Sequence, residues 1–300
     1  MAFELGLALG GGAARGLAHL GVLRVLEQAG IRPKVIAGTS VGSIIGAIYA
    51  SHAVIEDAIS EIQSYLKSSY FNQTRLSLIK EADREQETGY YALVKRFLQT
   101  SYFFAISTTQ AGFITEDTLR TNLEHILPKI RLEDCEIPFG VTLANLATGK
   151  IHYVTQGDLI DHVLASSSIP GIFPPVKLGR DFFIDGSWVE PIPVDLARKM
   201  GATFVLAVDV APNIAKDDAD HTGFNINLRA NEATRLALKE QNLKTADFVV
   251  RVNLPDQHWA DFMQIDECVA AGEAAMREKL PHLKQVLRAR RLRSALWPWF

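Results

Sequence analysis

Three short stretches of this chain carry residue types that could act together on a carbonyl carbon. The first is Gly38-Thr39-Ser40-Val41-Gly42, a G-x-S-x-G pentapeptide entered by an apolar β-branched run (Val35, Ile36) and left by the helix-like segment Ser43 to Ala50. A serine on a sharp strand-to-helix turn presents its hydroxyl above the end of a sheet, and small neighbours let the backbone turn that tightly. The second is Gly10-Gly11-Gly12-Ala13-Ala14-Arg15-Gly16, between a buried-strand pattern (Phe3 to Leu9) and a helical repeat of Leu17, Leu20, Leu23, Val25 and Leu26 that stops at Gly30. The third is Phe182-Phe183-Ile184-Asp185-Gly186-Ser187, an apolar strand ending in an acid.

Each stretch has competing readings. A dinucleotide site would need G-x-G-x-x-G and an acid closing the next strand. Here that strand runs into Gly38-Thr39-Ser40, and the Lys-Ser/Thr pair of a phosphate cradle is missing. Consecutive amides at a helix N-terminus form an anion-binding nest, able to hold the oxygen of a tetrahedral acyl intermediate. A tight turn for helix–sheet packing is the plain alternative; a strand-turn serine one βα unit later favours the nest. Asp185 lies where open α/β sheets collect functional groups, at a strand C-terminus. It could equally be a turn aspartate making an Asx-type bond.

The elements that must position these residues alternate β-α-β-α at the N-terminus, which predicts a parallel sheet covered on both faces. Residues 54–130 read as mainly helical, at Val54 to Leu66, Gly89 to Leu98, and a helix capped by Thr115 and running through Leu127 to Pro128. This region holds Tyr70, Phe71, Tyr90, Tyr91 and Tyr102-Phe103-Phe104-Ala105-Ile106, a composition suited to a satellite core or, as the lesser reading, an acyl-chain wall. Phe139 to Asn145 and Ile151 to Thr155 predict a hairpin across Ala147-Thr148-Gly149, followed by a helix from Asp158 to Ala165 and an irregular, proline-stiffened stretch, Ser166 to Pro175. A helix over Val194 to Met200, a strand over Thr203 to Asp209, an exposed helix from Leu228 to Thr245 and a strand over Phe248 to Val252 complete the sheet region. The acidic loop at Asp217, Asp218 and Asp220 reads as surface. Residues 266–293 predict a long helix kinked or broken at Pro281. The whole chain, 1–300, reads as one domain.

Composition narrows the function classes. Hydrophobic residues make up 48% and charged residues 22% of the 300 positions, as in an ordinary globular protein. A net charge of −3 supplies no basic field for nucleic acid. Cys135 and Cys268 lack C-x-x-C spacing, so a reducing, cytoplasmic setting is expected, as is the absence of a signal peptide at Met1-Ala2-Phe3-Glu4. Val35 to Ile55 contains no charged residue, but its glycines, serines and His52 argue for a central strand and buried helix rather than a membrane span. No calcium-ligand cluster is visible, so neither metal nor other cofactor is expected. The C-terminus holds Arg288, Arg290, Arg291 and Arg293 before Trp297, Trp299 and Phe300; peripheral contact with an anionic membrane is one reading and a solvated tail the other. Oligomeric state is not indicated.

In combination, Gly10-Gly11-Gly12-x-x-Arg15-Gly16, Gly38-Thr39-Ser40-Val41-Gly42 and Asp185-Gly186 with Pro191 resemble the patatin-like phospholipases, in particular the bacterial branch related to neuropathy target esterase. Leu17 to Leu23, Ala165 to Pro170 and Ala207-Val208-Asp209 extend the resemblance over roughly residues 5–210. It implies a three-layer α/β/α fold and a serine lipid acyl hydrolase acting on a lipid or ester substrate. It also implies a Ser–Asp dyad without histidine: Ser40 as nucleophile, Asp185 as base. The amides of Gly11, Gly12 and Ala13 would form the oxyanion hole, with Gly10, Arg15, Gly16, Gly38, Gly42 and Gly186 supporting. Two positions depart from the pattern: Ala13, where a glycine is usual and a required positive φ would be strained, and Ser187 after Asp185-Gly186.

Two other functions remain open on the residues. A Ser–His–Asp esterase would use His221 or His258, both following Asp185 and Asp209 in chain order, while His19 reads as packed on the first helix. A non-catalytic lipid-binding or regulatory module would keep the motifs without the chemistry.

Overall fold

Eight strands pair into one sheet among the residues described by the computed structural model, which are 3–72, 111–112, 114–211, 223–254 and 261–296. They are β1 (Leu5–Leu9), β2 (Val35–Gly38), β3 (Phe139–Asn145), β4 (Ile151–Val154), β5 (Val176–Leu178), β6 (Asp181–Asp185), β7 (Phe204–Asp209) and β8 (Phe248–Arg251). The order is β5-β6-β3-β2-β1-β7-β8, with β4 also against β3. The β3-β2-β1-β7-β8 run is parallel and the β3/β4, β3/β6 and β5/β6 pairs are antiparallel. Helices α1 (Ala18–Gln28), α2 (Val41–His52), α3 (Ile55–Leu66), α4 (Ser69–Asn72), α5 (Glu116–Glu124), α6 (Leu159–Ser166), α7 (Val194–Lys199), α8 (Gly223–Lys244) and α9 (Ile265–Leu296) cover its faces.

Both faces are apolar because successive strand side chains point in opposite directions. Leu5, Leu7 and Leu9 of β1 and Phe204, Leu206 and Val208 of β7 enter the larger core with α1, α2, α3, α6 and α9. Ala8, Val205 and Ala207 face a smaller core with Val194, Leu196 and Ala197 of α7 and Leu243 of α8. The result is the expected α/β/α sandwich.

The C-terminal helix is part of this sandwich. A Cβ on Gly21 of α1 would lie 2.0 Å from the Val269 carbonyl oxygen, and one on Gly272 of α9 would lie 2.0 Å from that of Ala18, so the two backbones pack almost directly on each other. Arg24 then reaches Glu273 at 2.8 Å and Glu56 at 2.7 Å. Of the kink or break expected at Pro281, the break does not occur: α9 is continuous, with the exposed Pro281 on its solvent side and Leu283 and Leu287 buried. Packing on the inner side offsets the one backbone bond that proline removes. Two of the terminal arginines fold onto the body, Arg290 against Asp247 at 3.0 Å and Arg291 over the Phe3 ring.

Gly30 takes φ +69 after α1, as a helix-terminating glycine does, and Thr115 caps α5, which ends at Glu124 rather than Leu127. Strand β5 was not anticipated; it is a three-residue edge beyond the proline-rich stretch. The expected helix at 89–98, the aromatic run 102–106, Tyr90, Tyr91, the acidic residues 217–220 and the terminal aromatics lie outside the described residues. Of the other aromatics, Phe71 packs on Tyr65 and Phe262, and Tyr70 is exposed beside His125. No helix among the described residues is long and apolar enough to cross a membrane.

One pairing detail positions the site. On β3, Val141 pairs with both Gly38 and Val154, and Leu143 with both Asp185 and His152. A strand residue has one partner per edge, so β2 and β6 occupy successive stretches of the same edge, opposite β4. Entering from opposite directions, β2 and β6 bring their C-terminal ends together, and with them Ser40 and Asp185.

Candidate active site

Ser40 stands between β2 and α2 with φ 56° and ψ −130°. A non-glycine residue in that region costs about 1–3 kcal/mol and persists only where its surroundings hold it. Here its amide donates to Ser166 Oγ at 3.1 Å, and Ser166 Oγ donates onward to the Thr142 carbonyl at 2.9 Å. Its carbonyl accepts from Ser43 Oγ at 2.6 Å and Ser167 Oγ at 3.3 Å. Gly42 lets α2 begin against β1: a Cβ there would sit 2.2 Å from the Leu9 carbonyl oxygen. Ser166 and Ser167 carried no assigned role from sequence. The available signal was the serine run itself, closing a buried helix where apolar residues would be ordinary.

Ser40 Oγ donates to Asp185 Oδ2 at 2.6 Å, and the pair is 5% and 1% exposed. The other carboxylate oxygen, Oδ1, accepts from the Ser187 amide at 2.7 Å, so Asp185 also makes the Asx-type bond that was its alternative reading. Burial pushes the Asp185 carboxyl above its ordinary range, while the Ser40 and Ser187 hydrogen bonds act in the opposite direction.

The glycine loop departs from expectation at one position. Gly10 donates its amide to Val208 at 3.2 Å, and Gly11 donates its own to the Pro191 carbonyl at 3.1 Å. The Gly11 amide is thus already engaged with the backbone, unlike those of the next two residues. Gly11 is small for a different reason: a Cβ would lie 2.4 Å from Ser187 Oγ and 3.2 Å from Ser40 Cβ. The amides of Gly12 and Ala13 find no acceptor among the described residues, and both residues line the cavity onto which Ser40 opens. Gly12 is extended, with φ 173°, whereas Ala13 takes φ 49°, the left-handed conformation its methyl disfavours.

His19 supports this loop from beneath. Its Nε2 lies 2.8 Å from the Gly10 carbonyl, which can only accept, so the ring proton is on Nε2. Complete burial depresses the imidazole to about 4, with the Gly10 bond opposing. Among the described residues no histidine hydrogen-bonds Ser40 or Asp185; His221 and His258 lie outside them. Asp209 is tied to Lys239 at 3.2 Å and to the Ala211 amide at 3.1 Å. Gly16 abuts Val41, Gly38 abuts the first turn of α2 and Gly186 abuts Thr142.

The cavity above the dyad measures about 870 Å³ and has a mixed lining that includes Trp188, Arg15, Arg235, Lys239 and Arg251. Arg15 was expected to brace the loop but makes no hydrogen bond or ion pair to a described residue; it projects into this cavity instead. A second cavity of about 100 Å³, lined by Val41, Ile45, Leu123 and Phe173 among others, lies beside the elbow and is almost wholly apolar.

Comparison with known proteins identifies the family of the chain. The model of the patatin-like phospholipase family matches residues 7–198. Patatin-like phospholipase domain-containing protein 7 of Mus musculus is 30% identical over 222 residues, 73% of this chain. Lysophospholipase NTE1 of Coccidioides immitis (strain RS) is 29% identical over 227 residues, 75% of this chain. The chain spans only 14% and 12% of the lengths of those two relatives. Among solved structures, VipD from Legionella pneumophila aligns with a TM-score of 0.49 and 14% identity, covering 94% of this chain and 67% of that one. With its glycine loop, serine elbow and strand-end aspartate all inside the matched region, the chain belongs to the patatin-like phospholipase family.

Proposed function

We propose that the chain is a serine hydrolase of lipid esters working through a Ser40–Asp185 dyad. The observation that carries this reading is the 2.6 Å hydrogen bond from the Ser40 hydroxyl to a buried carboxylate at the floor of an 870 Å³ cavity. Serine becomes a competent nucleophile when a base takes its proton as it attacks. Asp185 Oδ2 takes that proton while Ser40 Oγ bonds to the ester carbonyl carbon. The resulting oxyanion is received by the free amides of Gly12 and Ala13. Collapse breaks the ester C–O bond, and the departing alkoxide takes the proton back from Asp185. A water molecule then gives a proton to Asp185 as its oxygen bonds to the acyl carbon; the bond from that carbon to Ser40 Oγ breaks, Ser40 Oγ takes the proton from Asp185, and the fatty acid leaves. No step calls for a metal, and turnover is expected to survive a chelator.

The apolar cavity beside Val41 supports an acyl substrate, and the name of the fungal relative, a lysophospholipase, supports a monoacyl phospholipid. Covalent labelling by a fluorophosphonate probe tests the reading. Labelling is expected on Ser40 and is expected to disappear in Ser40→Ala and Asp185→Asn. An unlabelled wild-type chain would favour the non-catalytic module, and activity lost in His221→Ala or His258→Ala would favour the triad.

A further inference from the structure

The catalytic cavity holds two guanidinium groups that the dyad chemistry does not use. Arg15 leaves the glycine loop and Arg235 descends from α8; both line the space onto which Ser40 opens. The other two cations of that lining are already paired, Lys239 with Asp209 at 3.2 Å and Arg251 with Glu240 at 2.7 Å. Arg15 and Arg235 have no carboxylate within ion-pair distance among the described residues, and the Nε of each is buried with no hydrogen-bond partner. Other groups act on them from further away. Burial lowers Arg15, and Cys268 and Glu232, the latter exposed on α8, only partly oppose this; Asp185, already holding Ser40 and Ser187, feels Arg235. Burying a donor without an acceptor carries a penalty, and for a charged group a larger one. The arrangement is therefore complete only when an anion is supplied.

Arg235 is also pre-oriented. Its guanidinium lies 4.5 Å from the Trp188 ring centre, and Trp188 follows the dyad aspartate in the short turn Gly186–Trp188. A guanidinium stacked on an indole keeps its N–H edges free in a fixed plane, a shape suited to bidentate binding of a phosphate.

We propose that Arg235, stacked on Trp188, and Arg15 form an anion subsite that binds the phosphate ester of an amphiphile's headgroup while its acyl ester lies over Ser40. This rests on the hydrolase reading for the acyl half only; the subsite itself is a binding claim.

Calorimetric titration of the Ser40→Ala chain with glycerol 3-phosphate, inorganic phosphate and glycerol therefore tests it without turnover. Glycerol 3-phosphate is expected to bind, glycerol not to bind, and Arg235→Gln or Arg15→Gln to weaken the former about tenfold or more. No binding of glycerol 3-phosphate, or binding untouched by either substitution, would overturn the subsite whatever the enzyme does. Equal affinity for inorganic phosphate would overturn the headgroup assignment. In the active chain, Arg235→Gln is expected to lower about tenfold the ratio of kcat/KM for a lysophospholipid to that for the monoacylglycerol of the same acyl chain. Arg131→Gln, a surface residue paired with Glu133, controls for net charge and is expected to leave the ratio in place. An unchanged ratio in Arg235→Gln overturns the proposal, whereas absence of all ester turnover with glycerol 3-phosphate binding intact overturns the hydrolase reading instead.

Discussion

The Ser187 amide donates to one oxygen of Asp185 at 2.7 Å, while Ser40 takes the other. This relationship sets the basicity of the dyad. Burial raises the Asp185 carboxyl, and every donor to its charged form lowers it again. Only the ionised form can accept the Ser40 proton. The kcat/KM profile is therefore expected to fall on its acid side through an apparent pKa above the ordinary 3.8 of aspartate. The Ser187 hydroxyl also holds that value down. Ser187→Ala should move the acid limb to higher pH while leaving the fully ionised plateau within about threefold, a change of roughly 0.7 kcal/mol. A limb that stays in place would remove Ser187 from this role.

Ser166 controls the nucleophile through backbone rather than side chain. Replacing it by alanine leaves the buried Ser40 amide without its 3.1 Å acceptor. An unsatisfied buried amide costs about 1–3 kcal/mol, and the strained elbow loses one of its restraints. Ser166→Ala is expected to lose about 1–3 kcal/mol in urea unfolding and about tenfold in kcat, with KM little changed. A fall in KM-governed binding alone would contradict this.

How much of this was readable beforehand divides along the range of the interactions. The strand, glycine turn, helix, strand, elbow and helix of residues 5–52 follow from local pattern, because β-branched runs, leucine spacing and glycine positions each act within one or two turns. The approach of Ser40 to Asp185 does not. It depends on β2 and β6 sharing one edge of β3, a pairing that no periodicity in either strand encodes. The same applies to Gly11, whose composition suggested a donor but whose amide is claimed by the distant Pro191. Arg235 sits on a helix that reads as exposed, and only its placement over Trp188 separates it from its neighbours. Ala13 is the opposite case: the concern over a methyl at a left-handed position came from sequence, and the observed φ of 49° makes it concrete.

That conformation gives a paired test. Ala13→Gly relieves about 1–2 kcal/mol of left-handed strain but adds about 0.4–1 kcal/mol of chain entropy to the unfolded state. A net stability gain of between about 0 and 1.6 kcal/mol is expected, with the amide retained and fluorophosphonate labelling as fast as before or faster. Ala13→Pro removes the amide and fixes φ on the negative side. Loss of one oxyanion donor costs about 10²–10³ in rate, so labelling of Ser40 should slow at least that much. Equal labelling rates in the two variants would take Ala13 out of the oxyanion hole.

Glu190 offers the last test, on stability rather than chemistry. It is 1% exposed and lies beneath the turn that follows Asp185. Its oxygens accept from Thr142 Oγ1 at 3.0 Å and the Asp195 amide at 3.1 Å. Burial pushes its carboxyl up to about 7 from 4.5; the Asp195 carboxylate adds to this, while the Thr142, Asp195 amide and Tyr153 hydrogen bonds oppose it. A folded chain that holds this proton more tightly than the unfolded one is stabilised fully below about pH 4.5 and loses that contribution as pH rises through 7. At 1.36 kcal/mol per unit the loss is about 3 kcal/mol. Glutamine at this position carries no titrating proton, and the Thr142 hydroxyl can turn to accept from its amide. The stability of the wild type minus that of Glu190→Gln, followed by urea unfolding, should therefore fall by about 3 kcal/mol between pH 4 and pH 8. Asp185 and Asp209, also raised by burial, contribute to both chains and cancel in the difference. A flat difference would mean that Glu190 is already ionised at pH 4, and that its hydrogen bonds outweigh its burial.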